Sequence, residues 1–500
     1  MILPRAGGIL LHLTSLPGGD GIGDLGPPVR DWLTWLHRSG CSLWQFLPLG
    51  PSGGGWSPYQ SPSTFAGNPL LISLDRLHEG GWLGREDLED RPISTNKVDY
   101  PAVQRRKPDR LKAAADRWRG RGRPGEEDFG AWREAHSDWL DDYALFMALK
   151  EAHAGAPWTA WDPSLAHRHP QELEAARGRL RESIEEHALK QYWFWTQWQQ
   201  LRRQAADLGI RLIGDLPIYV SEDSADVWSR PDLFQLDANG RPLVVAGVPP
   251  DYFSETGQLW ANPIYHWDRH EQEGFQWWCR RVRHLAQQVD CVRIDHFRGL
   301  AAYWEVTAGS PTAATGRWVK GPGVALLEAL RADLGGLPLI AEDLGVMTPE
   351  VRHLRDSFEV PGMKILQFGL EAGEARGDLP EAYPERCVAY TGTHDNDTSR
   401  GWYEAAAETT RDYTRRTLET DGRDIAWSMV HSIWSSNAGW SLAPIQDFLS
   451  LGSEARMNYP GRPDGNWRWR LAPGATTEGL AERILELNRT YLRRGVVGGG

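Results

Sequence analysis

The chain has 500 residues, which by length alone is enough for about three average domains. It carries 55 basic and 67 acidic residues, a net charge of −12, without a stripe of Lys and Arg, so nucleic acid is not an expected partner. No run of about 18 apolar residues occurs and residues 1–5 show no charged leader, so we expect no membrane span and a cytoplasmic location.

Eight short apolar runs recur along the chain, each bounded by Gly, Pro or polar turn residues. They span 8–12, 43–47, 210–215, 291–295, 337–342, 363–368, 388–393 and 444–447. Helical patterns separate several of these runs, and such alternation favours parallel pairing of the strands. The pattern predicts an α/β fold, a (β/α)8 TIM barrel that forms one catalytic unit over 1–500.

Two of the connections are much longer than the roughly 30 residues that a strand–helix unit needs. We expect a largely helical subdomain at 65–205, between the second and third strands, with an exposed charged stretch near 104–126 and long helices near 128–153 and 170–208. A second inserted subdomain is expected at 220–285, between the third and fourth strands. It contains segment 247–262, which is rich in turn formers and aromatics and is predicted to be an active-site loop.

The cysteines and tryptophans carry two weaker signals. The four cysteines have neither metal-ligand nor Cys-x-x-Cys spacing, so buried reduced thiols are expected at 41, 279, 291 and 387. Tryptophan occurs 26 times, which suits a carbohydrate groove because aromatic rings stack on the apolar faces of sugars. For any single tryptophan, core packing is the alternative.

Asp295 is the candidate nucleophile, at the end of the run 291–295. Arg293 lies two residues earlier, so both side chains point to the same face of a strand. A guanidinium beside a carboxylate lowers the carboxylate pKa, and an ionised carboxylate can attack an anomeric carbon. The alternative is a structural ion pair inside the barrel.

Two more carboxylates follow strand-like runs. Glu342 has the apolar neighbours Ile340 and Ala341, and apolar burial raises a carboxyl pKa, as a general acid requires. Asp343 points the other way and is expected to cap or pair structurally, and helix capping is the alternative for Glu342 itself. Asp395 follows the seventh run, where calcium binding is the rival interpretation, although the acidic residue that would complete such a loop is missing. The sequence contains no zinc-site spacing, phosphate-loop motif, dinucleotide fingerprint or Gly-x-Ser-x-Gly motif.

Ordered segments along almost the whole chain resemble the 4-α-glucanotransferases of the amylomaltase (disproportionating enzyme) type, glycoside hydrolase family 77. The segments that carry the resemblance are 12–17, 56–61, 214–219, 247–258, 293–298, 341–345, 391–397, 446–447 and 454–458. The resemblance implies a (β/α)8 barrel with inserted subdomains, without a C-terminal β-domain, and a reaction that uses no metal or organic cofactor. It also implies α-1,4-glucans as partners: maltooligosaccharides and dextrins derived from starch or glycogen.

The resemblance further implies a retaining mechanism. Asp295 would form a glycosyl-enzyme, Glu342 would act as acid and then base, and Asp395 would stabilise the distorted sugar in the transition state. The residues implied to orient the nucleophile and bind the substrate are Tyr59, Asp215, Trp260, Asn262, Arg293, His296 and His394. We expect a monomer or a weak homo-oligomer.

Two other functions remain open at the level of sequence. An α-1,4-glucan hydrolase of the amylase type would use the same carboxylates but would pass the glycosyl group to water. A non-catalytic glucan-binding protein would keep the aromatics but should lose a carboxylate, whereas all three are present. The aromatic segment 248–260 favours a site that excludes water until an acceptor binds.

Overall fold

A computed structural model describes residues 3–91, 96–250, 255–345, 347–371, 379–462 and 464–494. Within these residues the strands are β1 (Ala6–Leu10), β2 (Leu43–Gln45), β3 (Arg211–Leu216), β4 (Val244–Val248), β5 (Gln258–Pro263), β6 (Cys291–Ile294), β7 (Ala302–Thr307), β8 (Arg317–Lys320), β9 (Leu339–Ala341), β10 (Gly362–Ile365), β11 (Cys387–Tyr390) and β12 (Trp440–Pro444).

The described residues contain one sheet of eight strands in the order β10-β11-β12-β1-β2-β3-β6-β9, and every pair in it is parallel. Its two edge strands approach each other, because the Ala341 amide donates to the Pro361 carbonyl just before β10 at 2.9 Å. Strands β1 and β2 come so close at Gly8 that a Cβ there would lie 2.5 Å from the Leu43 carbonyl oxygen. The predicted (β/α)8 barrel is confirmed.

The barrel interior is a closed apolar cluster to which all eight strands contribute. Its buried members are Ala6, Leu43, Ile213, Cys291, Ile340, Met363, Ile365, Val388, Tyr390, Trp440 and Leu442. Side chains two residues apart on a strand share a face, so these residues also fix which of the following side chains point inward. The interior is therefore a packed core and not a pore.

Helix α1 (Pro27–Arg38) connects β1 to β2, and the connection from β2 to β3 is helical. Its helices are α2 (Leu74–Glu79), α3 (Tyr100–Gly120), α4 (Glu126–Ala135), α5 (Ser137–Ala152), α6 (Pro163–Ala166), α7 (Pro170–Arg179) and α8 (Arg181–Asp207). The predicted long helices at 128–153 and 170–208 are wrong in detail, because His136 and Leu180 interrupt them with non-helical backbone angles. The charged stretch 104–126 is mostly helix α3, which buries one apolar side.

The connection from β3 to β6 holds α9 (Ala225–Ser229), β4, β5, α10 (Trp267–Gln272) and α11 (Gln276–Ala286). Strands β4 and β5 join β7 and β8, which follow β6, in an antiparallel sheet of order β5-β4-β7-β8. This small sheet therefore combines two separate connections of the barrel. The predicted division into subdomains at 65–205 and 220–285 stays a prediction, and residues 251–254 of the predicted loop 247–262 lie outside the described part of the chain.

The remaining helices are α12 (Gly323–Leu334), α13 (Pro349–Ser357), α14 (Leu366–Glu371), α15 (Ser399–Ala405), α16 (Glu408–Thr417), α17 (Ile425–Ser435), α18 (Ile445–Phe448) and α19 (Glu478–Thr490). The prediction of the eighth strand at 444–447 is wrong except for its first residue, because the strand is Trp440–Pro444 and residues 445–447 lie in α18. The strand signal of the sequence Trp-Ser-Leu-Ala is weak, because it alternates poorly between apolar and polar residues.

All four cysteines are buried and free, as predicted. Most tryptophans are also buried, so core packing accounts for the larger part of the tryptophan content. No helix in the described ranges has the length and apolar character needed to cross a membrane.

Candidate active site

Polar side chains fill the barrel interior at the carboxyl ends of its strands. Gln45, Asp215, Arg293 and Glu342 each lie two residues after a member of the apolar interior cluster, so they point into the barrel above it. Tyr390, itself a member of the cluster, follows Val388 by two residues and points inward as well. The Tyr390 hydroxyl donates to Gln45 Oε1 at 2.5 Å, although β11 and β2 are not neighbours in the sheet. This contact across the barrel confirms the inward direction. Carboxyl ends of parallel strands are where barrel enzymes place their reacting groups.

Arg293 joins two carboxylates on neighbouring strands. Asp215 lies opposite Arg293 in the β3–β6 ladder, and Arg293 Nη1 donates to Oδ1 and Oδ2 of Asp215, both at 2.7 Å. The same nitrogen donates to Asp295 Oδ1 at 2.9 Å. The Asp215 side chain is fully enclosed, whereas the Asp295 side chain keeps 28% of its surface exposed. Asp295 is therefore the partner that stays accessible at the mouth of the barrel, which we call the cleft.

The net electrostatic effect on Asp295 corrects the sequence interpretation. Burial raises the pKa of Asp295 well above its usual range; Arg293 opposes this rise, and the charges of Asp215, Glu342 and Asp395 add to it. The expected lowering of the Asp295 pKa by Arg293 is present but does not dominate, because burial of the carboxylate, together with the neighbouring negative charges, outweighs it.

Glu342 follows β9 directly and lies beside the residues that follow β6. Its backbone amide donates to the Ile294 carbonyl at 3.0 Å, and its carbonyl accepts from the Phe297 amide at 3.0 Å. The carboxylate accepts two backbone amides, from His296 at 2.6 Å and from Leu344 at 3.0 Å. Burial raises the pKa of Glu342, and it outweighs the opposing effects of Arg293 and the two amides. The direction of this shift agrees with the sequence prediction.

Asp343 points away from the barrel interior, as predicted from its neighbouring position on the chain. Its carboxylate pairs with the Arg355 guanidinium of α13 and accepts the Met363 backbone amide at 2.7 Å. These contacts tie β9 to β10 and α13. Asp343 therefore has structural partners on the outside of the barrel.

Asp395 lies in the loop that follows β11, and 44% of its side chain is exposed to the cleft. Asn458 Nδ2 donates to Asp395 Oδ1 at 2.6 Å, and Arg456 donates to the Asp395 carbonyl at 2.7 Å. His394 Nε2 lies 3.4 Å from Asp395 Oδ2. Segment 456–458 thus holds this carboxylate in place from a distant part of the chain.

Tyr59 connects two parts of the site. Its hydroxyl lies 2.7 Å from Asp215 Oδ2 and 2.8 Å from His394 Nε2. Burial, together with the charge of Asp215, raises the Tyr59 pKa, so the phenol keeps its proton, and that proton goes to the carboxylate. The hydroxyl must then accept from His394. Because burial lowers the His394 pKa, the ring is neutral, and we infer that its single proton is on Nε2.

Trp260 and Asn262 lie on β5, which approaches the segment after β6. The Trp260 ring meets the His296 ring edge-on, with centroids 4.9 Å apart. Between Trp260 and Asn262, Ala261 has a φ of 62°, and the β4–β5 register shifts in this part of the strand. Such an irregularity redirects side chains. Asn262 Nδ2 turns back to donate to the Val220 carbonyl at 2.8 Å.

The structure thus links nine of the ten residues named from the sequence through direct contacts or shared neighbours, whereas Asn262 lies two residues after Trp260 and bonds to the Val220 carbonyl instead. It adds Asn458, which sequence reasoning placed only in a resembling segment, and Gln45 and Tyr390, which it did not consider. Gln45 could have been found, because it is polar and lies two residues after an inward Leu43. Among the described residues, His, Cys, Asp and Glu side chains form no group of three or more arranged to hold a metal ion.

Comparison with known proteins places this geometry in a family. The family model described as 4-alpha-glucanotransferase, glycoside hydrolase family 77, matches residues 11–476. A 4-alpha-glucanotransferase from Thermus thermophilus is 51% identical over 483 residues, which cover 95% of this chain and 96% of that protein. A second from Synechocystis is 45% identical over 503 residues, 99% of each chain.

A solved structure agrees with the sequence comparisons. The amylomaltase from Streptococcus agalactiae in complex with acarbose superposes with a TM-score of 0.95 at 36% identity, covering 98% of this chain and 99% of that one. The barrel with its inward carboxylates, the family match over most of the length and this superposition agree: the chain belongs to the 4-alpha-glucanotransferases of glycoside hydrolase family 77.

Proposed function

We propose that this chain transfers segments of α-1,4-glucan from a donor maltodextrin to the 4-hydroxyl of an acceptor glucose or glucan, by a retaining double displacement. The observation that carries the proposal is the pair Asp295 and Glu342, which face one cleft from neighbouring strands and are linked through the His296 amide. A paired nucleophile and acid is the arrangement that retaining glycosidic chemistry uses.

In the first step, Asp295 attacks the anomeric carbon of the donor sugar while Glu342 gives its proton to the departing glycosidic oxygen. Because the pKa values of both Asp295 and Glu342 are raised, these two carboxyls together hold a proton at a higher pH than solvent-exposed carboxyls do. The productive state has this proton on Glu342. Direct contact with Arg293 favours that state, because the guanidinium lies 2.9 Å from Asp295 Oδ1 and stabilises its negative charge.

In the second step, Glu342 removes the proton from the acceptor 4-hydroxyl, which attacks the same anomeric carbon and releases Asp295. Each step inverts the configuration, so the product retains it. The half-exposed Asp395, held by Asn458, accepts hydrogen bonds from hydroxyls of the distorted sugar and stabilises its positive charge.

The surrounding residues position the sugar and the nucleophile. Arg293 binds both Asp215 and Asp295 and so fixes the nucleophile. Tyr59 fixes the buried His394 ring by a hydrogen bond to Nε2 and by stacking, with the ring centroids 5.4 Å apart. Tyr59 and Trp260 supply aromatic surface for the sugar. Asn262 orders the end of β5 through its bond to Val220, and His296 donates its amide to Glu342.

Transfer is favoured over hydrolysis because the relatives that match 95% and 99% of this chain are named 4-alpha-glucanotransferases. The α-1,4-glucans are therefore the proposed partners, in a pathway of carbohydrate metabolism. A reducing, cytoplasmic compartment is proposed from the four buried free thiols. The expected monomer or weak homo-oligomer stays a prediction.

The proposal is tested by incubation with maltotriose and separation of the products by chain length. Transfer gives glucose and a ladder of longer maltodextrins, with a constant number of reducing ends. Glucose and maltose alone, with reducing ends that rise steadily, would show a hydrolase instead. Asp295→Asn should remove activity by orders of magnitude with the fold intact, and near-normal turnover of this variant would refute the assigned nucleophile.

A further inference from the structure

The carboxylate of Asp447 joins the two ends of the loop that carries Asp395. This segment, residues 391–399, is called the β11 loop here; it runs from the end of β11 to the first residue of α15, whereas Asp447 lies on α18, after β12. At one end, Thr391 Oγ1 donates to Asp447 Oδ2 at 2.5 Å. At the other end, the Ser399 amide donates to Oδ1 and the Ser399 hydroxyl to Oδ2, both at 2.7 Å.

Asp447 is a costly residue to keep for stability alone. It is 1% exposed, has no ion-pair partner within the described ranges, and lies close to the negative charge of Asp397. Burial raises the pKa of Asp447, and the three hydrogen bonds oppose this rise. A buried carboxylate without a cation beside it costs folding free energy, which hydrogen bonds offset only in part. A role in orienting the active site gives a reason for a carboxylate at this position.

Hydrogen bonds inside the β11 loop connect its ends to Asp395. The Asp395 amide donates to Thr393 Oγ1 at 3.3 Å, and that hydroxyl donates to Asn396 Oδ1 at 3.0 Å. From α14, Gln367 Nε2 donates to the Asp397 carbonyl at 2.9 Å. Because these groups bond to one another, a shift of either end of the loop would move the Asp395 carboxylate as well.

The chain that follows β12 holds the β11 loop at a second point. Asn458 donates to the Asp395 carboxylate and Arg456 to its carbonyl, and the Asn458 amide donates to the His394 carbonyl at 3.1 Å. Asp447 comes from the same stretch of chain and binds the loop ends instead of its tip. Residues after β12 therefore orient the groups that follow β11, although none of them is assigned a reacting role above.

We propose that Asp447 is a positioning residue for glycosyl transfer, which fixes the β11 loop so that Asp395 meets the distorted sugar in the transition state. This inference rests on the proposed function and extends it to a residue that does not touch the sugar. An interaction that is stronger in the transition state than in the ground state affects kcat, so loss of the Asp447 charge should lower kcat and leave KM nearly unchanged.

The test is a double-mutant cycle of Asp447→Asn and Asp395→Asn. Fluoride release from α-maltosyl fluoride, with saturating glucose as acceptor, gives kcat and KM, because this activated donor keeps slow variants measurable. Asp447→Asn should lower kcat roughly 10- to 100-fold, with KM within about twofold of the native value. In the Asp395→Asn background the same substitution should change kcat by less than about twofold, because the group that it positions is already disabled.

Two single-hydroxyl variants provide a matched pair. Thr391→Val keeps the side-chain shape but deletes one hydrogen bond to Asp447, and it should lower kcat roughly fivefold. The control is Ser441→Ala on β12, whose buried hydroxyl donates to the Ile433 carbonyl at 2.7 Å, away from the β11 loop. Both variants should lower the denaturant midpoint, but Ser441→Ala should keep the native kcat. If Asp447→Asn does not fold, Thr391→Val replaces it in the cycle.

Three results would overturn the positioning role: an unchanged kcat for Asp447→Asn, an equal loss in the native and Asp395→Asn backgrounds, or a loss for Ser441→Ala as large as that for Thr391→Val. The second of these would show that Asp447 acts on groups other than Asp395, and the third that any lost buried hydrogen bond slows the enzyme. Absence of transfer by the native enzyme would instead refute the proposed function, so the two failures are distinguishable.

Discussion

Replacing Glu342 by Gln tests the acid/base assignment, and the structure predicts two separate effects. Both carboxylate oxygens accept backbone amides, at 2.6 and 3.0 Å, but a Gln side chain has only one acceptor oxygen. One amide then faces an NH2 group, which should cost about 1–3 kcal/mol of folding stability. Loss of the acid and base should lower transfer from maltotriose by roughly 10²- to 10⁴-fold.

The assay separates these two effects by changing the leaving group and the acceptor. Fluoride departs without protonation, so Glu342→Gln should release fluoride from α-maltosyl fluoride in a burst and then stall with the glycosyl-enzyme trapped. Azide has no proton to remove, so its addition should restore turnover. Unfolding in denaturant measures the stability cost independently.

The matched control is Asp343→Asn on the adjacent residue. It removes the pair with Arg355 and should cost a similar amount of stability, but it should leave most of the transfer activity. The reasoning would be refuted if Asp343→Asn lost as much activity as Glu342→Gln, or if azide failed to restore turnover of the trapped enzyme.

Three further predictions follow from the same geometry. Burial raises the pKa values of Asp295 and Glu342, so the plot of kcat/KM against pH should be bell-shaped, with both limbs above the usual carboxyl values of about 3.9 and 4.3. The free energy of unfolding should fall as pH rises through the raised values, because the folded state then loses protons that it binds more tightly than the unfolded state does. A rate profile without an alkaline limb would contradict this. Asn458→Ala deletes the hydrogen bond to Asp395 Oδ1 and should cost about 1.5–3 kcal/mol of transition-state stabilisation, a roughly 10- to 150-fold drop in kcat/KM on maltotriose. An unchanged kcat/KM would show that Asn458 has no part in positioning Asp395. Ala261→Gly removes the steric strain of a non-glycine residue at a φ of 62° and should raise the free energy of unfolding by about 0.5–1 kcal/mol. The control Ala113→Gly, inside α3, should lower the free energy of unfolding by a similar amount. Lower stability for both variants would show that the backbone at Ala261 is unstrained.

The local features of the site could be predicted from sequence, because the alternation of side chains along a strand is a local property. It places Arg293 and Asp295 on one face, and it separates the inward Glu342 from the outward Asp343. The same rule failed where the local signal was weak. The eighth strand, Trp440–Pro444, was assigned a few residues too late, since the segment alternates poorly.

Tertiary structure alone decided how these groups share charge and hydrogen bonds. Asn458 meets Asp395 across 63 residues of sequence, and Tyr59 meets His394 across 335. The net pKa of Asp295 depends on burial and on every charge around it, so the neighbour Arg293 could not determine it. The sequence by itself determined the barrel, the carboxylates and the family resemblance. Only closure of the barrel, which brings distant strands to one mouth, decided which of these side chains hydrogen-bond to one another and how deeply each is buried.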